Sequence, residues 1–381
     1  MTQATSIAVL GASGFVGTRL VEMLHLGGGE QERVEVRPIV RSFSSIARLS
    51  HFDLDWRIAD ANDAAALRNA LAGCDVVVSA ISGGLQIHER AIEPVYLAAQ
   101  DAGVRRLVHI SSTAVHRQPP VPGTDENSPL DDAQAMPYNN AKARAEHKLA
   151  EMRSNGRLET VVLRPGIVFG PRSRWISDYA DQLLAGTAYL IHGGSGICNS
   201  IYIDNLVHAI RLAATSDDAD REAFIVGDDE VVTWAEFALG VAEPLGFGAD
   251  DFATVEATPA AARDRPGIKA RLRQGRFAKY LKRAKPHVPD RAIRTVRAAL
   301  GAWQTPPRPT PYAVGPAPKP SVTLEMSVIQ RCQYKLPHAK AEKQLGYSPI
   351  VSFEEGMRRS VAWLGLAGYP VGAAPGTSAD S

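Results

Sequence analysis

Short runs of β-branched and aliphatic residues alternate with longer amphipathic stretches along the first half of the chain. Most of these runs are apolar throughout, as in strands that are buried on both faces. The alternation predicts a parallel sheet covered by helices, an α/β fold. The predicted strands are Ile7–Leu10, Val34–Val40, Trp56–Ala59, Val76–Ala80, Leu107–Ile110 and Thr160–Leu163, and the predicted helices are Phe15–Leu26, Ala64–Leu71, Glu89–Ala102 and Tyr138–Met152.

The pattern changes after Pro165, where Gly-rich and Pro-rich loops separate the regular segments. We expect a smaller C-terminal lobe that interleaves with the sheet domain rather than following it. The predicted sheet domain is 1–170 with 201–230, and the second lobe is 171–200 with 231–367. That lobe would include a basic helical insertion at 250–304 and a proline-rich strap at 305–320, and 368–381 would form a disordered tail.

The formal net charge of +1 conceals a strongly basic segment. Residues 261–300 contain thirteen Lys or Arg and only two acids, Asp264 and Asp290. An amphipathic helix predicted within 261–303 leaves three interpretations open: a solvated face of the second lobe, a cap over a phosphate-bearing substrate, or peripheral contact with anionic lipid. Nucleic acid is disfavoured because no base-reading or base-stacking module accompanies the charge.

Cysteine usage and hydropathy bear on the compartment. The three cysteines, Cys74, Cys198 and Cys332, lack the paired spacing of a zinc site or a disulfide framework, so we predict no metal. No apolar run approaches the roughly 20 residues of a membrane helix, and the first residues show no basic-then-apolar leader. We therefore expect a cytoplasmic protein without a transmembrane segment.

A glycine-rich loop follows the first predicted strand directly. Gly11, Gly14 and Gly17 are spaced as G-x-x-G-x-x-G between that strand and a helix. Such glycines permit a tight turn, close approach of a pyrophosphate to backbone N–H groups, and close packing of helix on strand. The loop predicts a dinucleotide site.

The second strand ends in Arg41-Ser42, where enzymes that use NAD commonly carry an acid. A cation and a hydroxyl suit a ribose 2′-phosphate, so we favour NADP over NAD, with a solvent-exposed arginine as the alternative. Asp60, after the third strand, is placed either to accept a hydrogen bond from the adenine amine or to cap the helix over 62–71.

Tyr138 and Lys142 stand four residues apart on a predicted helix, and Ser112 ends a predicted strand. At that spacing the two side chains share one helix face, so the ammonium is expected to lower the pKa of the phenol from about 10. Ser112 can hydrogen-bond a substrate oxygen, and Lys142 can also hold the nicotinamide ribose. The three residues predict an acid–base site.

The chain at this point resembles the extended short-chain dehydrogenase/reductase family, which includes NAD-dependent epimerase/dehydratases and 3β-hydroxysteroid-type dehydrogenases. The resemblance covers about 5–245 and 335–366. The motifs that carry it are GASGFVG at 11–17, HISSTAVH at 109–116, the Tyr138/Lys142 pair, LRPGIVFGP at 163–171, YIDNL at 202–206 and LGYSPIVSFEEGMRRSVAWL at 345–364.

The resemblance implies a Rossmann-type doubly wound parallel sheet with a small, interleaved C-terminal substrate lobe, and homodimers are common in the family. It selects Ser112 over Ser111 as the catalytic hydroxyl and places the segment after Arg164 beside the nicotinamide. The predicted cofactor contacts are Gly11, Ser13, Gly14, Phe15, Val16, Gly17, Arg41, Ser42, Asp60, Ala80, Ile81, Ser82, Lys142, Pro165, Gly166, Ile167 and Val168.

Three functional hypotheses follow. The first is a reductase or dehydrogenase in which Tyr138 passes a proton, Ser112 holds the substrate oxygen and the cofactor passes a hydride. The second is a nucleotide-sugar epimerase with tightly bound NAD, although Arg41 disfavours it. The third is a non-catalytic dinucleotide sensor. Thr113-Ala114 replaces the Asp-Glu pair of sugar dehydratases, so dehydration is disfavoured.

Overall fold

The computed structural model describes residues 5–27, 34–256 and 320–372, and these form one compact unit. Predictions that concern 257–319 and 373–381, including the whole basic segment at 261–300 and the proline-rich strap up to residue 319, lie outside the described residues. Among the described residues, no helix has both the length and the apolar character needed to cross a bilayer.

A parallel sheet of seven strands forms the centre of the sheet domain. Its strands are β1 (Thr5–Leu10), β2 (Val34–Val40), β3 (Arg57–Ile58), β4 (Val76–Ser79), β5 (Arg106–Ile110), β6 (Glu159–Pro165) and β11 (Glu222–Val226). They lie in the order β11-β6-β5-β4-β1-β2-β3. The order reverses between β1 and β4, and ligands of doubly wound sheets bind at such a switch point, beyond the carboxyl ends of the strands.

Both faces of the sheet are covered, as the apolar runs predict. Alternate residues of β1 belong to different cores, Ile7 and Val9 to one and Ala8 and Leu10 to the other. The first core is closed by α1 (Phe15–Leu26), α7 (Ile203–Thr215) and α10 (Ala339–Leu345), and the second by α2 (Ala64–Leu71), α4 (Ile92–Asp101) and α5 (Pro137–Asn155). The Rossmann-type fold class is confirmed.

A third hydrophobic core forms the second lobe, which interleaves with the sheet domain as predicted. Its elements are β7 (Ile167–Phe169), α6 (Arg174–Leu184), β8 (Tyr189–Ile191), β9 (Ile197–Cys198), β10 (Ser200–Tyr202), β12 (Val232–Thr233), α8 (Trp234–Ala242), β13 (Ala253–Val255), α9 (Leu324–Ile329) and α11 (Phe353–Leu366). Three short strand pairs, β7 with β10, β8 with β13 and β9 with β12, complete it. The exact domain boundaries stay a prediction.

Three local predictions need correction. The helix predicted over 89–102 is two helices, α3 (Leu85–Arg90) and α4, joined at Ala91. Residues 250–256 are not a basic helix, because they end in β13, which pairs with β8. Residues 368–372 are not a disordered tail: the Tyr369 hydroxyl donates to Asp181 at 2.8 Å and the Gly372 N–H donates to the Pro244 carbonyl at 2.8 Å.

Candidate active site

Two adjoining cavities lie at the carboxyl end of the sheet, and both are lined by Ile81, Ser82 and Gly83. The smaller has a volume of about 280 Å³ and the larger about 800 Å³. Predicted site residues on the smaller cavity are Gly11, Ser13, Gly14, Arg41, Asp60, Ile81 and Ser82. Those on the larger are Phe15, Val16, Ala80, Ile81, Ser82, Ser112, Tyr138, Lys142, Pro165, Gly166, Ile167 and Val168.

Two predicted residues line neither cavity. Gly17 lies behind the loop, buried in α1, where a Cβ would stand 2.2 Å from the Gly11 carbonyl oxygen. It therefore lets α1 pack closely on the loop. Ser42 is exposed next to Arg41, and its hydroxyl is hydrogen-bonded to those of Ser44 (2.9 Å) and Ser45 (3.3 Å).

The glycine loop has the form that a dinucleotide requires. Gly11 has φ +78°, and a Cβ there would meet the Ala80 carbonyl oxygen at 2.5 Å, so a side chain fits neither the backbone nor the space. No side chain caps α1, which leaves the N–H groups of its first turn for an anion. The residues present therefore fit a bound pyrophosphate.

Asp60 does not cap α2, because Asp63 occupies the N-cap position and accepts from the Ala66 N–H at 3.0 Å. Asp60 instead accepts from the backbone and side-chain N–H groups of Asn62, at 2.9 and 2.8 Å. These bonds, with some help from Arg41, hold the pKa of Asp60 below its ordinary value, so an anion faces the smaller cavity.

The helix that carries Tyr138 and Lys142 is attached to the loop after β5 by amide groups. Pro137 occupies the first turn of α5, a position that suits its fixed φ. The Gln134 side chain donates to the carbonyls of Ala114 and His116, at 2.9 and 3.0 Å, and accepts from the Asn139 amide at 2.8 Å. The start of α5 is thereby fixed relative to Ser112.

Ser112 and Tyr138 both line the larger cavity. Ser111, the neighbour of Ser112, points away and donates to Glu146 instead. Lys142 is 4% exposed, and its ammonium donates to the Ile110 carbonyl at 2.8 Å. The structure thus brings the hydroxyl, the phenol and the ammonium to one wall of the cavity.

The predicted effect of Lys142 on Tyr138 is not found. Desolvation by the surrounding cavity walls raises the pKa of Tyr138, although 38% of the residue is exposed. The Arg174 guanidinium and Ser112 oppose this rise, and Glu325 adds to it. Burial also lowers the pKa of Lys142 to about 8, against the attraction of Glu146. Desolvation therefore outweighs the helix-face pairing, and the phenol holds its proton at neutral pH.

The larger cavity is also lined by residues that the sequence did not predict. Arg172 and Arg174 come from the loop after β7 and the start of α6, and Arg174 pairs with Glu325 at 2.8 Å and lies over the Trp175 ring at 4.3 Å. His88 contacts the Tyr138 ring edge-on, with centroids 5.3 Å apart. In the sequence, the loop at 170–175 interrupts the regular pattern and so could have indicated Arg172 and Arg174. No local pattern indicates that His88 or Glu325 belongs to the site.

Comparisons with known proteins agree with this geometry. The model of the 3-beta hydroxysteroid dehydrogenase/isomerase family matches residues 8–253. A decarboxylating sterol-4-alpha-carboxylate 3-dehydrogenase of Candida albicans is 24% identical over 94% of this chain and 97% of its own. A UDP-glucose 4-epimerase of Vibrio cholerae is 27% identical over 63% of this chain and 74% of its own.

A solved dTDP-glucose 4,6-dehydratase of Streptomyces venezuelae, with NAD and TYD bound, has the same fold: its TM-score is 0.66 at 20% identity, over 95% of this chain and 97% of that one. The family match covers more than half of the chain. The protein therefore belongs to the 3-beta hydroxysteroid dehydrogenase/isomerase family of extended short-chain dehydrogenases/reductases and is an NAD(P)-dependent oxidoreductase of that type.

Proposed function

We propose that this protein transfers a hydride between a nicotinamide dinucleotide and a secondary alcohol or ketone on a largely apolar, sterol-like substrate, with Tyr138 as the general acid or base. The observation that carries the proposal is that Ser112, Tyr138 and the buried Lys142 all line the larger cavity, which adjoins the cavity at the glycine loop. Glycine loop, strand ends and acid–base residues thus surround one continuous cleft.

The chain's own groups have distinct roles in this proposal. Ser112 donates a hydrogen bond to the substrate oxygen, and Tyr138 donates its proton to that oxygen as a ketone becomes an alcohol. Lys142 holds the nicotinamide ribose. A bound reduced nicotinamide supplies the hydride. Because the pKa of Tyr138 is raised, the phenol is already protonated for the reductive direction at neutral pH.

The lining of the larger cavity supports an apolar substrate. Its larger apolar members are Phe15, Val16, Ile81, Leu85, Ile110, Met136, Ile167, Val168, Trp175 and Ile329. The Candida albicans relative carries a sterol substrate in its name, which agrees with such a wall. Burial of a rigid apolar body here would stabilise binding by roughly 25 cal/mol per Å² of apolar surface removed from water.

A second candidate is a nucleotide-sugar epimerase, which the two arginines of the larger cavity favour because they suit an anionic substrate. The purified protein incubated with each dinucleotide and either sterol alcohols or nucleotide sugars separates the two. A steady change in absorbance at 340 nm with sterols supports the first proposal. Turnover of a nucleotide sugar without net absorbance change, on retained NAD, would replace it with the second.

NADP(H) is the proposed preference within this function. Arg41 lines the smaller cavity, and no acid follows the end of β2. Solved structures of the same fold contain bound NAD, so NAD is the competing outcome. We also expect the protein to be cytoplasmic and to form a homodimer. Size-exclusion chromatography with light scattering would test the oligomeric state.

A further inference from the structure

Behind the candidate active site lies a buried ionic cluster that none of the proposed catalytic roles uses. It comprises Glu146 on α5, Arg164 on β6, Ser111 after β5, and His116, each at most 5% exposed. Arg164 donates to both Glu146 carboxylate oxygens, with 2.6 Å between Nη2 and Oε2 and 3.2 Å between Nε and Oε1. The Ser111 hydroxyl donates to Oε1 of the same carboxylate.

The cluster joins the three elements that carry the proposed acid–base and cofactor residues. Ser111 precedes Ser112, and Arg164 precedes Pro165 at the end of β6. Glu146 follows Lys142 by four residues, so the two side chains share one face of α5. One carboxylate therefore connects the ends of two strands to the helix.

The charges in this region are unequal. Two buried cations, Lys142 and Arg164, surround one buried anion, Glu146, and Arg164 further contacts His116 Nε2 at 3.3 Å and the Glu126 carbonyl at 2.9 Å. A buried ammonium without a compensating anion releases its proton readily. The groups that face Lys142 are His88 from α3, His109 from β5 and Glu146 on its own helix. Only Glu146 among them attracts the cation.

We propose that Glu146 is a positioning residue that anchors the ends of β5 and β6 to α5 and keeps Lys142 cationic during turnover. It reaches neither substrate nor cofactor and acts through Lys142 and Ser111. The inference rests on the proposed function, because the charge of Lys142 affects dinucleotide affinity and turnover only if Lys142 binds the nicotinamide ribose.

The chain offers a control in a second ion pair, which joins β5 directly to β6. Arg106 at the start of β5 is 1% exposed and pairs with Glu159 at the start of β6, at 2.7 Å. This pair lies at the amino ends of the strands, away from the cleft. The Glu159 side chain is 30% exposed, but a merely structural role for carboxylates that pair with a buried arginine predicts the same behaviour from both pairs.

The test measures kcat/KM, dinucleotide affinity by nicotinamide fluorescence, and unfolding by denaturant across pH 6 to 10. In Glu146→Gln the alkaline fall in kcat/KM and affinity should move to lower pH by about one unit, whereas Glu146→Asp should keep it near that of the natural protein. Glu159→Gln should lose stability without any shift. Arg164→Gln, which removes the competing cation, should move the fall to higher pH.

An unshifted alkaline fall in folded Glu146→Gln, or an equal shift in Glu159→Gln, overturns the inference. If Glu146→Gln does not fold, the direction in which Arg164→Gln shifts the alkaline fall decides. If neither variant folds, Glu146→Asp decides. An alkaline fall at markedly lower pH in Glu146→Asp, which keeps the negative charge, contradicts the proposal. The affinity profile needs no substrate. Absence of turnover with every substrate would therefore defeat the proposed function and leave the inference measurable.

Discussion

Tyr138 is the residue whose oxygen the proposed chemistry needs. Tyr138→Phe removes that oxygen and keeps the ring contact with His88. We expect kcat to fall by about 10²–10⁴-fold, the usual contribution of a general acid, with dinucleotide affinity little changed. Tyr369→Phe is the control, since its hydroxyl bonds to Asp181 on the outside of α6. Activity unchanged in Tyr138→Phe would return the chain to the sensor hypothesis.

Arg41 is the residue on which the proposed preference for NADP depends. Its charge faces the smaller cavity together with the anionic Asp60. If Arg41 pairs with a 2′-phosphate, Arg41→Ala should raise the KM for NADPH by about tenfold or more and leave that for NADH nearly unchanged, because one charge-assisted pair is lost. Arg48→Ala, on a different surface near α1, serves as the control. Equal effects on both dinucleotides would contradict the NADP preference.

At the scale of elements, the junction of β1 and α1 depends on a glycine that touches no ligand. A Cβ at Gly17 would lie 2.2 Å from the Gly11 carbonyl oxygen, so Gly17→Ala must push α1 away from the loop. We expect a loss of about 1–3 kcal/mol in unfolding free energy, as for other overpacked sites, and weaker dinucleotide binding. Gly248→Ala, where a Cβ would meet open space, should change neither in denaturation and binding assays.

The bounds of the helices and strands show which elements local sequence signals are sufficient to predict. Helices α1 and α2 and strand β2 have the bounds that periodicity predicts, because apolar spacing is a local property. Capping of α2 was one of the two roles predicted for Asp60, but the cap is Asp63. The helix over 89–102 was predicted as one element because Ala91 carries no breaking signal. Its division into α3 and α4 comes from packing, with α3 directed at α5 and the cleft.

For the whole molecule, buried histidines make stability depend on pH. Burial lowers the pKa of His88 to about 4 and that of His109 well below its ordinary value of 6.5, and His116 and His208 are lowered as well. The unfolded chain therefore binds more protons than the folded one below about pH 6.5. The free energy of unfolding should therefore decrease as the pH decreases, by up to about 1.4 kcal/mol per pH unit for each of these histidines.

His109 allows this expectation to be measured, because both of its ring nitrogens are buried without a hydrogen-bond partner among the described residues. In His109→Leu the loss of unfolding free energy between pH 7 and pH 5 should be smaller by about 2 kcal/mol. Denaturant titrations at several pH values would show it. The exposed His51→Gln should keep the slope of the natural protein, and identical slopes in all three would contradict the linkage.

The sequence alone determined the alternating fold, the glycine loop and the pairing of Tyr138 with Lys142 on one helix face, because each depends on neighbours a few positions away. The choice of Ser112 over Ser111 came from the family resemblance. Only the tertiary structure decided two ion pairs: Arg174 with Glu325 at the cleft, and Glu146 with Arg164 behind it. It also reversed the expected shift in the Tyr138 pKa, since burial is set by segments remote in the chain and outweighs the helix-face charge.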